Sequence, residues 1–500
     1  MRHAAALTTA LILLSALAHA QTAANATHTP LGTGVQADVH PYCKCSKRGC
    51  QPYARKVVDM TPALRAATAL PDGACIFNPA LIRISGSLYC TFTRVYVAAD
   101  PAKRCVPGQL DRPPFMDAWN GTLANMLAVV RIRRKRLTSE VAVTVMGYQY
   151  LDQVNLEDGR LFRDQHGRIF LYLSVPYGKY GGDRASVNSV YRVYISCKRG
   201  AGAGAGNSTA APASLAASTA SGGNATVTCV ARLGSPRLLR YDRSLAWEKN
   251  WVPWNGTSLM SYSHYGPFGP HSVFNWSSYR EPHPHSRFVA AANESFFHAF
   301  HDTFMHLIHL SGGTPAILEA SGGSFLAVGH VRIHPGCLHP QSIPGLAALL
   351  GDRVRTNCAH MLKLPTEMKE HIPFRTFMYR DPRGNMSKHY HVDYAFFLYR
   401  FNSTPPYAVT HISHGILPPS DDHFGIVFPS GLERLGSDYV ISYGDADQAA
   451  KLMLLKQADI NKLLVPLPVM HARIIAYSVC TLPFAPGLAA SALMGVGPGG

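Results

Sequence analysis

One local pattern recurs along this chain and restricts its fold more than any other feature. A turn containing Gly, Ser or Asp is followed by an alternating strand, rich in Tyr and Phe, that ends near a polar residue. The pattern stands at residues 86–94, 167–174, 256–264, 323–330 and 437–444. Turn chemistry joined to a period of two reads as a hairpin strand. Five such hairpins, spaced roughly 65 to 110 residues apart, predict five similar sheets with insertions between them, the layout of an all-β, five-bladed β-propeller. A two-sheet sandwich with a second domain is the alternative that the pattern leaves. Helical patterning is sparse, and residues 293–307 and 344–350 carry the best of it.

The N-terminus points to export. Arg2 and His3 precede an apolar stretch over residues 4–17, and Ala18-His19-Ala20 follows as a small-x-small cleavage pattern. This layout predicts a signal peptide over residues 1–20. The apolar stretch is shorter than the ~20 residues of a spanning helix. The mature chain is therefore expected to carry no stable membrane span and to reside in the lumen of the ER or Golgi or outside the cell. An uncleaved Golgi anchor is the alternative. Nine N-x-S/T sequons, at Asn25, Asn120, Asn207, Asn224, Asn255, Asn275, Asn293, Asn385 and Asn402, fit that compartment. So do eleven cysteines, most of which should pair under oxidising conditions, with the odd total leaving one thiol free or intermolecular. The cluster of Cys43, Cys45 and Cys50 reads as a disulfide-stapled arm in preference to a zinc site. Neither a metal nor a cofactor is assigned.

The layout that follows is a leader and cysteine-containing arm over residues 21–70, the propeller over 71–485, and a flexible tail over 486–500. The run of Gly, Ala, Ser and Thr at about 199–224 cannot bury enough apolar surface to pack and reads as an exposed insertion. With 47 Lys+Arg against 30 Asp+Glu, the net charge of +17 favours anionic partners such as phosphate groups, sugar nucleotides or acidic polysaccharides. The compartment argues against nucleic acid. Part of the charge sits in the run from Arg131 to Arg136, which reads as a solvated face.

Propellers place functional groups where the inner strands meet the central channel. The polar residues at those strand ends are Arg94, Glu157, Asp158, Arg160, Lys249, His264, His330 and Asp447. Asp158 is flanked by Glu157 and Arg160. A neighbouring arginine lowers a carboxyl pKa and burial raises it, so Asp158 suits a fixed anion or a proton carrier, with a plain loop salt bridge as the structural alternative. His283 and His285, with His389 and His391, read as scattered surface histidines ahead of a metal site. Trp247, Trp251 and Trp254 suit sugar stacking and core packing equally.

Five segments, in order, resemble the mannoside phosphorylases of glycoside hydrolase family 130 and the related β-mannosyltransferases. Asn78-Pro79-Ala80 leading to Arg94 is similar to the family's first-blade motif, and Glu157-Asp158-Gly159-Arg160 to its Glu-Asp-Pro-Arg. Glu248-Lys249-Asn250-Trp251-Val252-Pro253 resembles its Lys-Asp/Asn then Phe-Pro segment. Gly313-Thr314-Pro315-Ala316 with Val328-Gly329-His330 resembles its Gly-x-Pro-Pro and Tyr-His pair. Val427-Phe428-Pro429-Ser430-Gly431 with Tyr443-Gly444-Asp445-Ala446-Asp447 resembles its Phe-Pro-x-Gly then Tyr-Gly-Ala-Ala-Asp.

The resemblance implies a five-bladed propeller and an inverting, carbohydrate-active enzyme acting on β-mannosides. In it Asp158 matches the catalytic acid or base, Asp447 and Arg94 match positions that hold sugar hydroxyls, and Lys249 and His330 fall at or near phosphate-binding positions. Glu157, Arg160 and His264 complete the expected substrate-binding set. A single carboxylic acid suffices when an external anion attacks the opposite face, unlike the carboxylate pair of ordinary glycosidases. Three departures weigh against phosphate as co-substrate. Gly159 replaces proline, residues 309–313 lack the lysine common in phosphorylases, and His264 stands where arginine is usual. The expected function is transfer of a glycosyl group, β-mannosyl as the resemblance implies, from an activated donor to an acceptor glycan. The alternatives are a β-mannoside phosphorylase or hydrolase and a non-catalytic glycan-binding propeller.

Overall fold

The structure is a computed structural model, and it describes residues 52–68, 70, 74–98, 121–134, 141–151, 156–175, 187–199, 227–239, 250–262, 271–277, 287–292, 295–304, 308–333, 376–380, 386–390, 393–419, 426–474, 477 and 479–484. The expected signal peptide, the Cys43–Cys50 cluster, the insertion at 199–224, the tail, the helix at 344–350 and the site residues Lys249 and His264 lie outside the described residues.

The chain is mostly β. Four four-stranded antiparallel sheets form a propeller-like arrangement. The first runs Cys75–Ser85, Leu88–Ala98, Gly121–Arg134, Val141–Leu151, and the second Glu157–Arg163, Ile169–Val175, Val187–Arg199, Val227–Leu239. The third runs Val252–Pro253, Leu259–Tyr262, His271–Asn275, Arg287–Ala292. The closing sheet joins Val427–Leu435, Asp438–Asp445 and Ala449–Lys456 to the N-terminal strand Ala54–Asp59. An eight-stranded sheet is centred on Ser324–Ile333 and Asp393–Asn402, between the third and closing sheets in sequence, and takes in the later strands Val465–Pro466 and Val479–Thr481. Each of the five patterned hairpin strands becomes the second strand of its sheet, or the strand beside the first in the eight-stranded one. The helix predicted at 293–307 is observed as Ser295–Phe304.

Apolar faces of neighbouring sheets pack in chain order and return to the start. Phe92 and Leu127 of the first sheet meet Leu161 and Leu171 of the second. Phe162 and Tyr172 of the second meet Trp251 and Phe274 of the third. Trp254 of the third meets Phe325 and Phe401 of the eight-stranded sheet. Phe396 of that sheet meets Tyr443 of the closing one at 5.2 Å between ring centroids, and Val440 and Leu452 of the closing sheet reach Ile76 and Met126 of the first. Trp251 and Trp254 are fully buried, which assigns both to the core and removes them as sugar-stacking surface.

The segment expected as leader and arm departs from expectation over its last part. Ala54–Asp59 pairs antiparallel with Ala449–Lys456, and the helix Thr61–Ala67 packs Leu64 into the core behind it. Arg55, at the irregularity in this pairing, reaches past it to form a 3.0 Å ion pair with buried Asp438. The partners stand almost the full chain away, so no local pattern marks this strand. Cys197 and Cys229 form a cross-strand disulfide, and Cys90 is a buried free thiol. Among the described residues no helix is long and apolar enough to cross a membrane.

Candidate active site

The inner strands share a defect. Register slips between Phe77 and Ala80, between Glu157 and Arg160, and between Pro429 and Gly431, leaving Asn78-Pro79, Asp158-Gly159 and Ser430 as bulges in the first strands of three sheets. Bulges re-aim side chains and recur beside active sites. Asn78 (φ 48°) and Asp158 (φ 53°) adopt the left-handed conformation there, and Asn250 (φ 69°) adopts it just before the first strand of the third sheet. Asn and Asp enter that region more readily than other side-chain-bearing residues, because their short polar groups can bond locally. The same backbone solution therefore appears in three successive sheets, and Asp158 is the one that carries an acid.

Asp158 is 4% exposed. Behind it Arg160 is fully buried, its guanidinium donating to the carbonyls of Asp158 and Gly313 and to Asn250 Oδ1, the last at 2.9 Å. The cation also lies over the rings of Tyr172 and Phe428, at 5.8 and 5.7 Å. Burial pulls the Arg160 pKa below its ordinary value, while Asp158, Tyr172 and Tyr399 oppose the shift. This placement gives Arg160 a structural role. Its guanidinium ties three sheets together and locks the Asp158 turn.

Arg94 and Glu157 form an ion pair of 3.1 Å beside Asp158, with side-chain exposures of 10% and 22%. Arg94 also stacks over Phe77 at 5.2 Å. His330 is buried and packs against Phe428 at 4.9 Å and Tyr394 at 5.3 Å. Phe428 thus contacts both His330 and the Arg160 cation. Asp447 (φ 53°) is half-buried in the turn after Asp438–Asp445, and Gln448 beside it accepts a hydrogen bond from the Ile76 amide at 3.2 Å, next to Phe77. The described structure therefore gathers Arg94, Glu157, Asp158, Arg160 and, through Phe428, His330. It ties Asp447 to the same end of the first sheet. Asn250, Phe428 and Tyr172 emerge as contributors that sequence reasoning had quoted only in motifs or strands.

Close approaches between sheets keep this rim narrow. Glycines stand where a Cβ would meet a neighbour: Gly444 against Asn78, Gly159 against Phe92, Gly312 against the Asn250 carbonyl, and Gly313 against Pro429. The Phe92 ring occupies the space that a larger residue at 159 would need, which accounts for glycine in place of the proline of the resembling motif. Gly159→Ala is expected to lower stability by about 1–3 kcal/mol through overpacking, with Phe92→Leu in the same chain restoring at least half of the loss. Urea unfolding midpoints of the two variants decide it, and a wild-type midpoint for Gly159→Ala would refute the clash.

Two other polar groups lie at the far ends of the inner strands. Burial pushes the Glu433 carboxyl up to about 7, against the Arg83 amide and the Arg163 charge. A cleft of about 640 Å³ is lined by Glu319, Ser324, Arg400, Arg434, Tyr439 and Asn461, among others. There burial alone would raise Glu319, but hydrogen bonds from Arg400, Ser324 and Gln457 hold it below the usual value. Its acceptors are satisfied, as befits a structural network.

No protein-family model and no curated protein matches the chain. Among solved structures, it is similar to a mannose phosphorylase from Leishmania mexicana in complex with phosphate ion, at 10% identity and TM-score 0.37 over 79% of this chain and 89% of that one. It is similar to a β-1,2-mannobiose phosphorylase from Listeria innocua at 12% identity and TM-score 0.39, covering 81% and 98%. A GDP-Man-dependent mannosyltransferase from Leishmania mexicana is similar at 12% identity and TM-score 0.33, covering 81% and 90%. Likeness at this level assigns no activity to this chain.

Proposed function

We propose that this protein is a carbohydrate-active enzyme of the secretory pathway that transfers a glycosyl group, β-mannosyl by the motif resemblance, with inversion from an activated donor to an acceptor glycan. The observation that carries the reading is the placement of Asp158, a nearly buried acid aimed by a left-handed bulge and locked by Arg160. Structural salt-bridge aspartates have no need of such a bulge, whereas a proton carrier must be fixed within hydrogen-bond reach of the reacting oxygen. The Arg94–Glu157 pair and Asp447 supply donors and acceptors for sugar hydroxyls around it. In this reading the eight-stranded sheet is the fifth blade, since the packing passes through it on the way from the third sheet to the closing one.

The step uses one carboxylate. As the acceptor hydroxyl oxygen attacks the anomeric carbon, Asp158 takes its proton. The bond from that carbon to the donor's phosphate oxygen breaks, and the nucleoside diphosphate leaves with the electron pair. Attack from the opposite face inverts the configuration.

Calorimetric titration of GDP and of inorganic phosphate, with an assay for sugar 1-phosphate, tests the reading. Measurable affinity for the nucleoside diphosphate and weak affinity for phosphate are expected. Phosphate-dependent release of a sugar 1-phosphate without nucleotide binding would replace transfer by phosphorolysis. Oligosaccharide binding with no turnover on any donor would leave a glycan-binding protein.

A further inference from the structure

Outside the proposed site, the second sheet carries exposed cations that no carboxylate among the described residues answers. Among the described residues of the second and third sheets the carboxylates are Glu157, Asp158 and Asp164. Glu157 is paired with Arg94 and Asp164 with Arg168, and Asp158 is buried. On the strand Val187–Arg199, Arg192, Tyr194, Ser196 and Lys198 alternate and are exposed. Successive odd steps of a strand face opposite sides, so these four share one face. On the next strand Arg232 is exposed and lies directly across from Tyr194 in the register, and Thr228 lies across from Lys198. The Tyr194 ring is 51% exposed, with the Arg192 guanidinium 4.8 Å from its centroid. Arg192, Lys198 and Arg232 have no ion-pair partner among the described residues.

We infer that this face binds an extended, polyanionic polysaccharide, sulfated or carboxylated. Three cations flank an exposed aromatic ring. From Arg192 to Lys198 they reach ~20 Å at the strand rise of about 3.3 Å per residue. A linear polymer of regularly spaced charge can lie along such a row, with its anions on the guanidinium and ammonium groups and a sugar ring against Tyr194. An anionic lipid surface suits the face less well, because a single aromatic ring without a surrounding apolar stripe offers little to insert below the headgroups. The inference is independent of the role proposed for Asp158.

Heparin, as a sulfated polysaccharide probe, tests it on the full chain. The patch variant is Arg192→Ser/Lys198→Ser/Arg232→Ser. The control variant Lys456→Ser/Lys462→Ser/Arg473→Ser removes the same charge elsewhere. At about 0.15 M salt the patch variant is expected to bind about tenfold more weakly than wild type, with the control close to wild type. Tyr194→Ala should weaken binding further at salt levels that screen the charges. Equal losses in patch and control variants would overturn the inference, because net charge alone would then explain binding. Preference for phosphatidylserine vesicles over heparin would overturn it as well. If the triple variant fails to fold by thermal melting, Lys198→Gln/Arg232→Gln takes its place with the same expected ordering.

Discussion

Asp158→Asn is expected to reduce turnover at least ~10²-fold while the fold and sugar binding persist. The prediction rests on two properties of the site. Asparagine enters the left-handed region at least as readily as aspartate, so the bulge at φ 53° keeps its shape. The Arg160 bond to this residue is made to its backbone carbonyl, which the substitution leaves in place. What disappears is the carboxylate proposed to accept and return a proton. Steady-state kinetics on an identified substrate, with calorimetric binding of the acceptor, separate the two effects. Full activity in Asp158→Asn would remove this residue from the chemistry, and a lost melting transition would show that the carboxylate is structural. Asp447→Ala, in a half-buried turn away from the bulge, should by contrast raise KM more than it lowers kcat.

The second large effect is expected at Arg160. Arg160→Met approximates the length of the side chain but leaves the Gly313 and Asp158 carbonyls and Asn250 Oδ1 without their donor, all of them buried between sheets. Stranding buried polar groups of a charged network costs about 3–5 kcal/mol. Arg160→Lys should recover little, since one ammonium cannot reproduce the planar fork that reaches three acceptors. Denaturant midpoints are expected to fall for both variants, and activity to fall with them even under conditions where the folded fraction is complete, because the Asp158 turn loses its lock. A midpoint for Arg160→Met within about 1 kcal/mol of wild type would show that the guanidinium is dispensable to the architecture.

Much of the fold was legible because its signals are local. The patterned strands at 88–94, 169–174, 259–262, 324–330 and 438–444 announce themselves by turn residues and alternation within about ten positions. Asp158 stood out in the sequence through its charged neighbours and the order of the short motifs, and it sits in a bulge beside Arg94, Glu157 and Arg160. Three features were not legible. The left-handed backbone of Asn78, Asp158 and Asn250 follows from where the sheets converge, and nothing adjacent to those residues dictates it. Arg160 looks like a surface cation in sequence, and only the arrival of Gly313, 153 residues later, makes it a buried tie. Trp251 and Trp254 carry the same composition whether they stack on sugars or on Phe274 and Phe401. In each case the deciding partner is remote in sequence, and periodicity has no access to it.

The N-terminal strand Ala54–Asp59 has a consequence for how the molecule is made. It emerges early in synthesis, yet the residues it pairs with come late, as the Ala450 amide bonded to Thr61 across 389 positions shows. At translation rates of about 5–20 residues per second, this strand waits about 20 to 80 seconds before its partner exists. During that interval it is a loose edge, with backbone groups that invite pairing with the wrong chain. Its brevity, and the charges of Arg55, Lys56 and Asp59 within six residues, are the properties that keep a waiting edge soluble until the ring can shut.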